Sequence, residues 1–140
     1  MNDVAIIGVG LHPFGRFEGK SAMQMGVDAI LAAIADAGIA WQDVQFATGG
    51  SWTVANPDAI VGMVGLTGIP FTNVFNACAT AASAVKACAD GIRLGDYDIG
   101  IGNVCGRRLR PRKRRFEEVR TADARHAAVF RERCNLPPRK

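Results

Sequence analysis

Four cysteines (Cys78, Cys88, Cys105, Cys134) and two histidines (His12, His126) are the side chains of this chain best suited to nucleophilic or metal chemistry. The cysteines show neither the close paired spacing of a zinc site nor the density of a secreted disulfide scaffold, so each is read by itself. Cys78 stands out by its surroundings. Phe71 to Phe75, with Phe71, Val74 and Phe75 apolar, reads as a third strand and leads through Asn76 into a pattern in which Ala82, Val85, Ala89 and Ile92 recur at steps of three and four. That spacing predicts a helix from about Cys78 to Leu94, broken by Gly95-Asp96. A sulfur at such a strand-turn-helix junction meets free amides and the positive end of the helix dipole, which favour a thiolate. A thiolate attacks thioesters well, and the same amides can hold the negative charge that develops on the thioester oxygen. Cys88 lies about 80 degrees round the same helix from Cys78 and reads as core.

The elements that must position this junction read as alternating strands and helices. Val4 to Val9 is a short continuous apolar run, the form of a strand covered on both faces. Leu11 to Lys20, with Pro13, Gly15 and Gly19, reads as a loop. Ser21 can cap a helix to about Ala37, with Met25, Ala29, Ala32 and Ala33 on one side and Gly38 at its end. Val44 to Thr48 is a second strand candidate, closed by Gly49-Gly50. Asn56-Pro57 opens a second helix whose apolar side is Ile60, Val61, Val64 and Leu66, stopped by Gly68 and Pro70. Tyr97 to Val104 is a fourth strand candidate. The alternation predicts an α/β, α-β-α layered fold with a mostly parallel sheet. Gly8-Val9-Gly10 invites a dinucleotide reading, but Pro13 stands where a third glycine belongs, and no nucleotide site is expected there.

Charge divides the chain. Residues 1–100 carry four basic and nine acidic groups, a net of −5, whereas residues 101–140 carry thirteen basic and four acidic ones, a net of +9. Eleven of those thirteen are arginine, and the apolar residues among them are scattered, so this end is expected to be an irregular, disordered basic tail. The division is drawn as residues 1–104 and residues 105–140. An arginine cluster could neutralise phosphates, but nucleic acid is not the partner expected. Arginine, proline and alanine enrichment is also what a GC-rich gene yields when read out of frame, and a frameshifted or truncated end after about residue 102 is the expectation. The start has no secretory signal pattern and no segment reaches roughly 18 uninterrupted apolar residues, which excludes a helical membrane span and leaves the cytoplasm as the expected location.

The stretch Asn73-Val74-Phe75-Asn76-Ala77-Cys78-Ala79-Thr80-Ala81-Ala82-Ser83-Ala84, followed by Gly91-Ile92 and Gly95-Asp96-Tyr97-Asp98, resembles the nucleophile segment of thiolases. It looks closest to the sterol-carrier-protein-type thiolases, a group that includes lipid-transfer and acetyl-CoA acetyltransferase proteins. The opening Val4 to Gly10 and the Asp58-to-Leu66 helix are similar in placement, so the resemblance covers about residues 3–102. It implies an amino-terminal thiolase-fold fragment and an acyl-CoA acyltransferase in which Cys78 holds the acyl group as a thioester. Coenzyme A is then substrate rather than cofactor, and no metal or redox cofactor is implied. Ala81 departs from the glycine that many members carry there, and its methyl would narrow the acyl pocket.

Members also use histidine and second-cysteine motifs in their carboxy-terminal half. His12 and His126 lie in no comparable glycine-rich context, and neither is given a base role. The chain is therefore expected to be incomplete and inactive alone. The alternative is a non-catalytic lipid- or acyl-CoA-binding subunit that works with a full-length thiolase, and a third possibility is a remnant too small to fold stably. Thiolases pair through the strand before the nucleophile, which makes Thr72 to Phe75 the expected edge of a homodimer or of a thiolase-like partner.

Overall fold

The computed structural model describes residues 3–15, 17–51, 54–105 and 126–132. Strand β1 (Val4–Leu11) leads to helix α1 (Ala22–Ala37), strand β2 (Phe46–Gly50), helix α2 (Ala59–Val64) and strand β3 (Phe71–Asn73). Helix α3 (Thr80–Leu94) and strands β4 (Ile99–Val104) and β5 (His126–Glu132) follow, with short 3-10 turns at Trp41–Asp43 and Ala77–Ala79. The five strands form one sheet in the order β1-β5-β4-β2-β3. β2 is parallel to β3 and to β4, and β5 is antiparallel to both β1 and β4. Four strands thus run one way and β5 alone runs against them.

Local chemistry explains the first helix. Ser21 accepts a bond from the Gln24 amide at 3.1 Å while Gln24 Oε1 accepts from the Ser21 amide at 2.7 Å, a reciprocal cap of the kind that contributes about 1 kcal/mol. Gly38, at φ 67°, closes the other end in the left-handed conformation that glycine enters without strain. The buried face is Ala22, Met25, Gly26, Ala29, Ile30, Ala33 and Ile34, whereas Ala32, expected inside, is exposed. The helix sits almost on the strand backbone. A Cβ on Gly10 would lie 2.0 Å from the Ala29 carbonyl oxygen, so β1 tolerates no side chain there.

α2 is shorter than its apolar pattern suggests. It ends at Val64, and Leu66 beyond it is exposed. Trp41, which the sequence left without a role, accounts for the stop: its indole Nε1 donates to the Gly65 carbonyl at 2.9 Å and its ring fills the space a Gly65 side chain would need.

The two faces of the sheet are read from alternation along β4. A Cβ on Gly102 would meet the α3 backbone at Ala84, while the neighbouring Asn103 side chain reaches Gly26 of α1. α1 and α3 therefore cover opposite faces, giving the three expected layers. One core joins Ala29, Ile30 and Ala33 of α1 and Ile60 of α2 to Ala47, Ile101, Ala127 and Val129. The other is smaller: Phe46, Cys88, Ile92 and Phe130, with Tyr97 stacked on Phe46 at 4.2 Å between centroids.

The expectation of a wholly irregular basic end is corrected by β5. Residues 126–132 lie inside the sheet between β1 and β4, with Ala127 and Val129 facing one core and Ala128 and Phe130 the other. A strand paired on both sides has its backbone groups satisfied by its neighbours. Four consecutive apolar residues then suffice, although averaged over the arginines around them they leave no signal. Residues 106–125 and 133–140, on which the rest of that expectation falls, lie outside the described residues.

This placement predicts that Val129→Asp, which sets a carboxylate at a fully buried position, lowers the unfolding free energy by about 3 kcal/mol or more in urea titration. A variant that unfolds like the parent places β5 outside the sheet.

Candidate functional site

β2, β3 and β4 all run toward the same end of the sheet, and the chain turns from β3 into α3 there. Val74 follows β3 with its amide on the Gly49 carbonyl at 2.8 Å, which keeps the chain beside β2 for one more residue. It then turns sharply. Ala77 has φ 43°, the only non-glycine left-handed residue among those described, at a cost of about 1 kcal/mol or more. The 3-10 turn Ala77–Ala79 follows and carries Cys78 at its centre, ahead of the first residue of α3.

Cys78 is exposed and stands at the amino end of a helix, neither in mid-helix nor sealed in the core. Helix onset differs slightly. α3 begins at Thr80, with the 3-10 turn in front of it, and no side chain caps either segment. The first turn of a helix has amides without intrahelical partners, and here no acidic residue stands in that turn to compete for them. The Ala79 and Thr80 amides bond the Asn76 and Ala77 carbonyls, so what α3 offers beside the Cys78 sulfur is the positive end of its dipole.

Contacts around the turn are neutral and polar. The Asn76 amide donates to Thr80 Oγ1 at 3.0 Å, Thr80 Oγ1 donates to the Ala77 carbonyl at 2.8 Å, and Asn76 Nδ2 donates to Ser83 Oγ at 3.1 Å. Further along, Thr48 Oγ1 of β2 donates to the Ala84 carbonyl of α3 at 2.8 Å, a buried tie between helix and sheet. Thr80 and Thr48 are site residues that sequence reading did not single out. Thr80 lies inside the quoted motif, but spacing alone cannot show that its hydroxyl turns back toward the loop.

The buried stripe of α3 is Thr80, Ala84, Cys88 and Ile92, a strict step of four, rather than the expected Ala82, Val85, Ala89 and Ile92. Val85 and Ala81 instead line an apolar hollow of about 390 Å³ with Val9, Leu11, Val104 and Ala128. Ala81 is one turn beyond Cys78, so its methyl is a wall of that hollow on the site side.

The other candidate groups lie elsewhere. His12 is buried in the loop after β1, its Nδ1 2.9 Å from the Pro13 carbonyl oxygen, its Nε2 3.4 Å from Asp28 Oδ2, and its ring edge-on to Phe17. It is committed to structure there. His126 opens β5, and Cys134 falls outside the described residues. Cys88 is fully buried in the smaller core, as expected, and burial pushes its thiol up from 9.0 to about 12. Burial likewise raises Cys105, opposed by a hydrogen bond from Ser51, and its sulfur lies 3.7 Å from that of Met23. Among the described residues no cluster of three histidine, cysteine or acidic side chains could hold a metal ion.

No family model matches the chain. Acetyl-CoA acetyltransferase of Methanothermobacter thermautotrophicus is 33% identical over 108 residues, which is 72% of this chain and 28% of that protein. Non-specific lipid-transfer protein-like 2 of Caenorhabditis elegans is 35% identical over 102 residues, 69% of this chain and 24% of that protein. The chain spans about a quarter of the length of these curated relatives. Among solved structures, 3-oxoacyl-[acyl-carrier-protein] synthase III of Aquifex aeolicus superposes with a TM-score of 0.74 at 11% identity, covering 93% of this chain and 54% of that one.

Two outcomes are expected. Brief treatment of the native chain with iodoacetamide near neutral pH labels Cys78, while Cys88 and Cys105 react only after denaturation, as read by peptide mass mapping; early labelling of Cys88 contradicts the burial described. Because the folded Cys88 thiol ionises near 12 and the unfolded one near 9.0, its contribution to stability is complete below pH 9.0 and declines as pH rises from there toward 12. Urea titrations across that window should show a shallower alkaline loss in Cys88→Ala than in the parent, whatever the variant's stability at neutral pH.

Proposed function

Starting from a chain similar in sequence to part of an acetyl-CoA acetyltransferase and in fold to a 3-oxoacyl-[acyl-carrier-protein] synthase III, we propose that it belongs with the thiolase-like acyltransferases and that Cys78 accepts an acyl group from an acyl-CoA thioester. The observation that carries this is an exposed sulfur on an uncapped turn at the head of α3, directly behind the left-handed Ala77. In the step, the Cys78 thiolate attacks the thioester carbonyl carbon and the carbonyl oxygen takes the negative charge against the amides of the turn. Collapse of that intermediate breaks the bond to the coenzyme A sulfur. Coenzyme A leaves as a thiolate and takes a proton from solvent, and the acyl group remains on Cys78 as a thioester. Coenzyme A is thus a substrate, and the step needs no metal or redox cofactor.

The hydrogen-bonding side chains of the turn are Asn76, Thr80 and Ser83, none of which is a base at neutral pH. Transfer from Cys78 to an acceptor would therefore draw on groups other than these. A partner chain is one source of them. β3 is an edge strand, and Thr72 and Asn73 are exposed along it. An edge of this kind offers unpaired backbone groups, so we place the homodimer or thiolase-like partner contact at Thr72 to Phe75. Sedimentation velocity should then show a two-chain species, and a single-chain species at all concentrations contradicts self-pairing.

The apolar hollow beside α3 favours a second reading, a subunit that binds acyl-CoA or lipid without catalysis. One experiment separates the two. Incubated with acetyl-CoA, the chain should gain one acetyl mass on the Cys78 peptide, and Cys78→Ala should abolish the gain. Binding without acyl mass on Cys78 supports the second reading and contradicts the first.

A further inference from the structure

The geometry points to Thr80 as a positioning residue that sets where the Cys78 sulfur stands. This rests on the reading of Cys78 as the acyl acceptor. Thr80 is the first residue of α3, one past its N-cap Ala79, and its hydroxyl turns back toward the loop. Its side chain is buried, and its hydroxyl accepts from the Asn76 amide at 3.0 Å and donates to the Ala77 carbonyl at 2.8 Å, four and three residues behind it. The Thr80 amide bonds the same Ala77 carbonyl, and the Ala79 amide bonds the Asn76 carbonyl at 2.8 Å. The two residues before Cys78 are thereby tied to the first residues of α3.

The methyl group packs against β2 in this rotamer, and the two hydrogen bonds hold the hydroxyl in place. β2 passes so close that a Cβ on Gly50 would lie 2.6 Å from Thr80 Cγ2 and 2.0 Å from the Val74 carbonyl oxygen. With the methyl directed at Gly50, the hydroxyl is left facing the loop. A left-handed alanine persists only where its surroundings over-determine it, and for Ala77 the bonds of Thr80 do so. Cys78 is the next residue, so its direction follows from that conformation.

Two variants of the full chain separate positioning from packing. Thr80→Val keeps the shape and removes the hydroxyl; Thr80→Ser keeps the hydroxyl and removes the methyl. Iodoacetamide labelling of Cys78 and acetylation by acetyl-CoA are followed by mass spectrometry, with urea titration recording stability. Thr80→Val should slow both reactions by about tenfold or more, and Thr80→Ser should restore both to within about twofold of the parent even if it is the less stable of the two. A fast Thr80→Val, or a Thr80→Ser as slow as Thr80→Val, overturns the assignment. Should Thr80→Val fail to fold, Thr80→Ala replaces it in the comparison with Thr80→Ser on the same terms. If the parent chain takes no acetyl group, the acyl-acceptor reading fails, while the labelling series still decides the role of Thr80.

Discussion

The seating of α3 on the backbone of the sheet is the constraint from which the site follows. The helix head meets the sheet over Gly50, where a side chain would collide with Thr80 and the Val74 carbonyl, and farther along it lies beside Gly102, where a Cβ would be in ordinary contact with Ala84. Thr48 adds a buried hydrogen bond to the Ala84 carbonyl. Close packing fixes the height of the helix, and the height fixes how abruptly the chain must turn between β3 and Thr80. The left-handed Ala77 lies within that short turn, and the exposed Cys78 follows it directly.

The two cysteines of this stretch differ in burial. Cys78 and Cys88 occupy the same stretch of chain, yet one stands at an open helix end and the other is sealed between Phe46, Ile92 and Phe130. Burial alone penalises the Cys88 thiolate, with no charged group needed to explain it. The same stretch of chain thus holds one accessible thiol and one sealed from solvent.

Much of this was legible in the sequence, for stated reasons. Ser21 and Gly38 mark the ends of α1 because capping is local chemistry, and the strand-turn-helix junction at Cys78 is local as well. What depends on distant neighbours was not. The apolar spacing of α3 fits two stripes, and packing against β2, β4 and β5 selects the one through Thr80, Ala84, Cys88 and Ile92. Leu66 reads as helical until Trp41, 25 residues upstream, ties down Gly65. Alanine gives no hint of a positive φ at residue 77. β5 is the largest discrepancy, since its four apolar residues acquire meaning only from the partners β1 and β4 on either side.

The most direct test is a crystal structure of the chain after reaction with acetyl-CoA. An acetyl group bonded to Cys78, with its carbonyl oxygen within hydrogen-bond distance of an amide of the turn ahead of α3, is the predicted result. Acetyl on another residue, or a Cys78 thioester whose oxygen points away from those amides into solvent, would contradict the account.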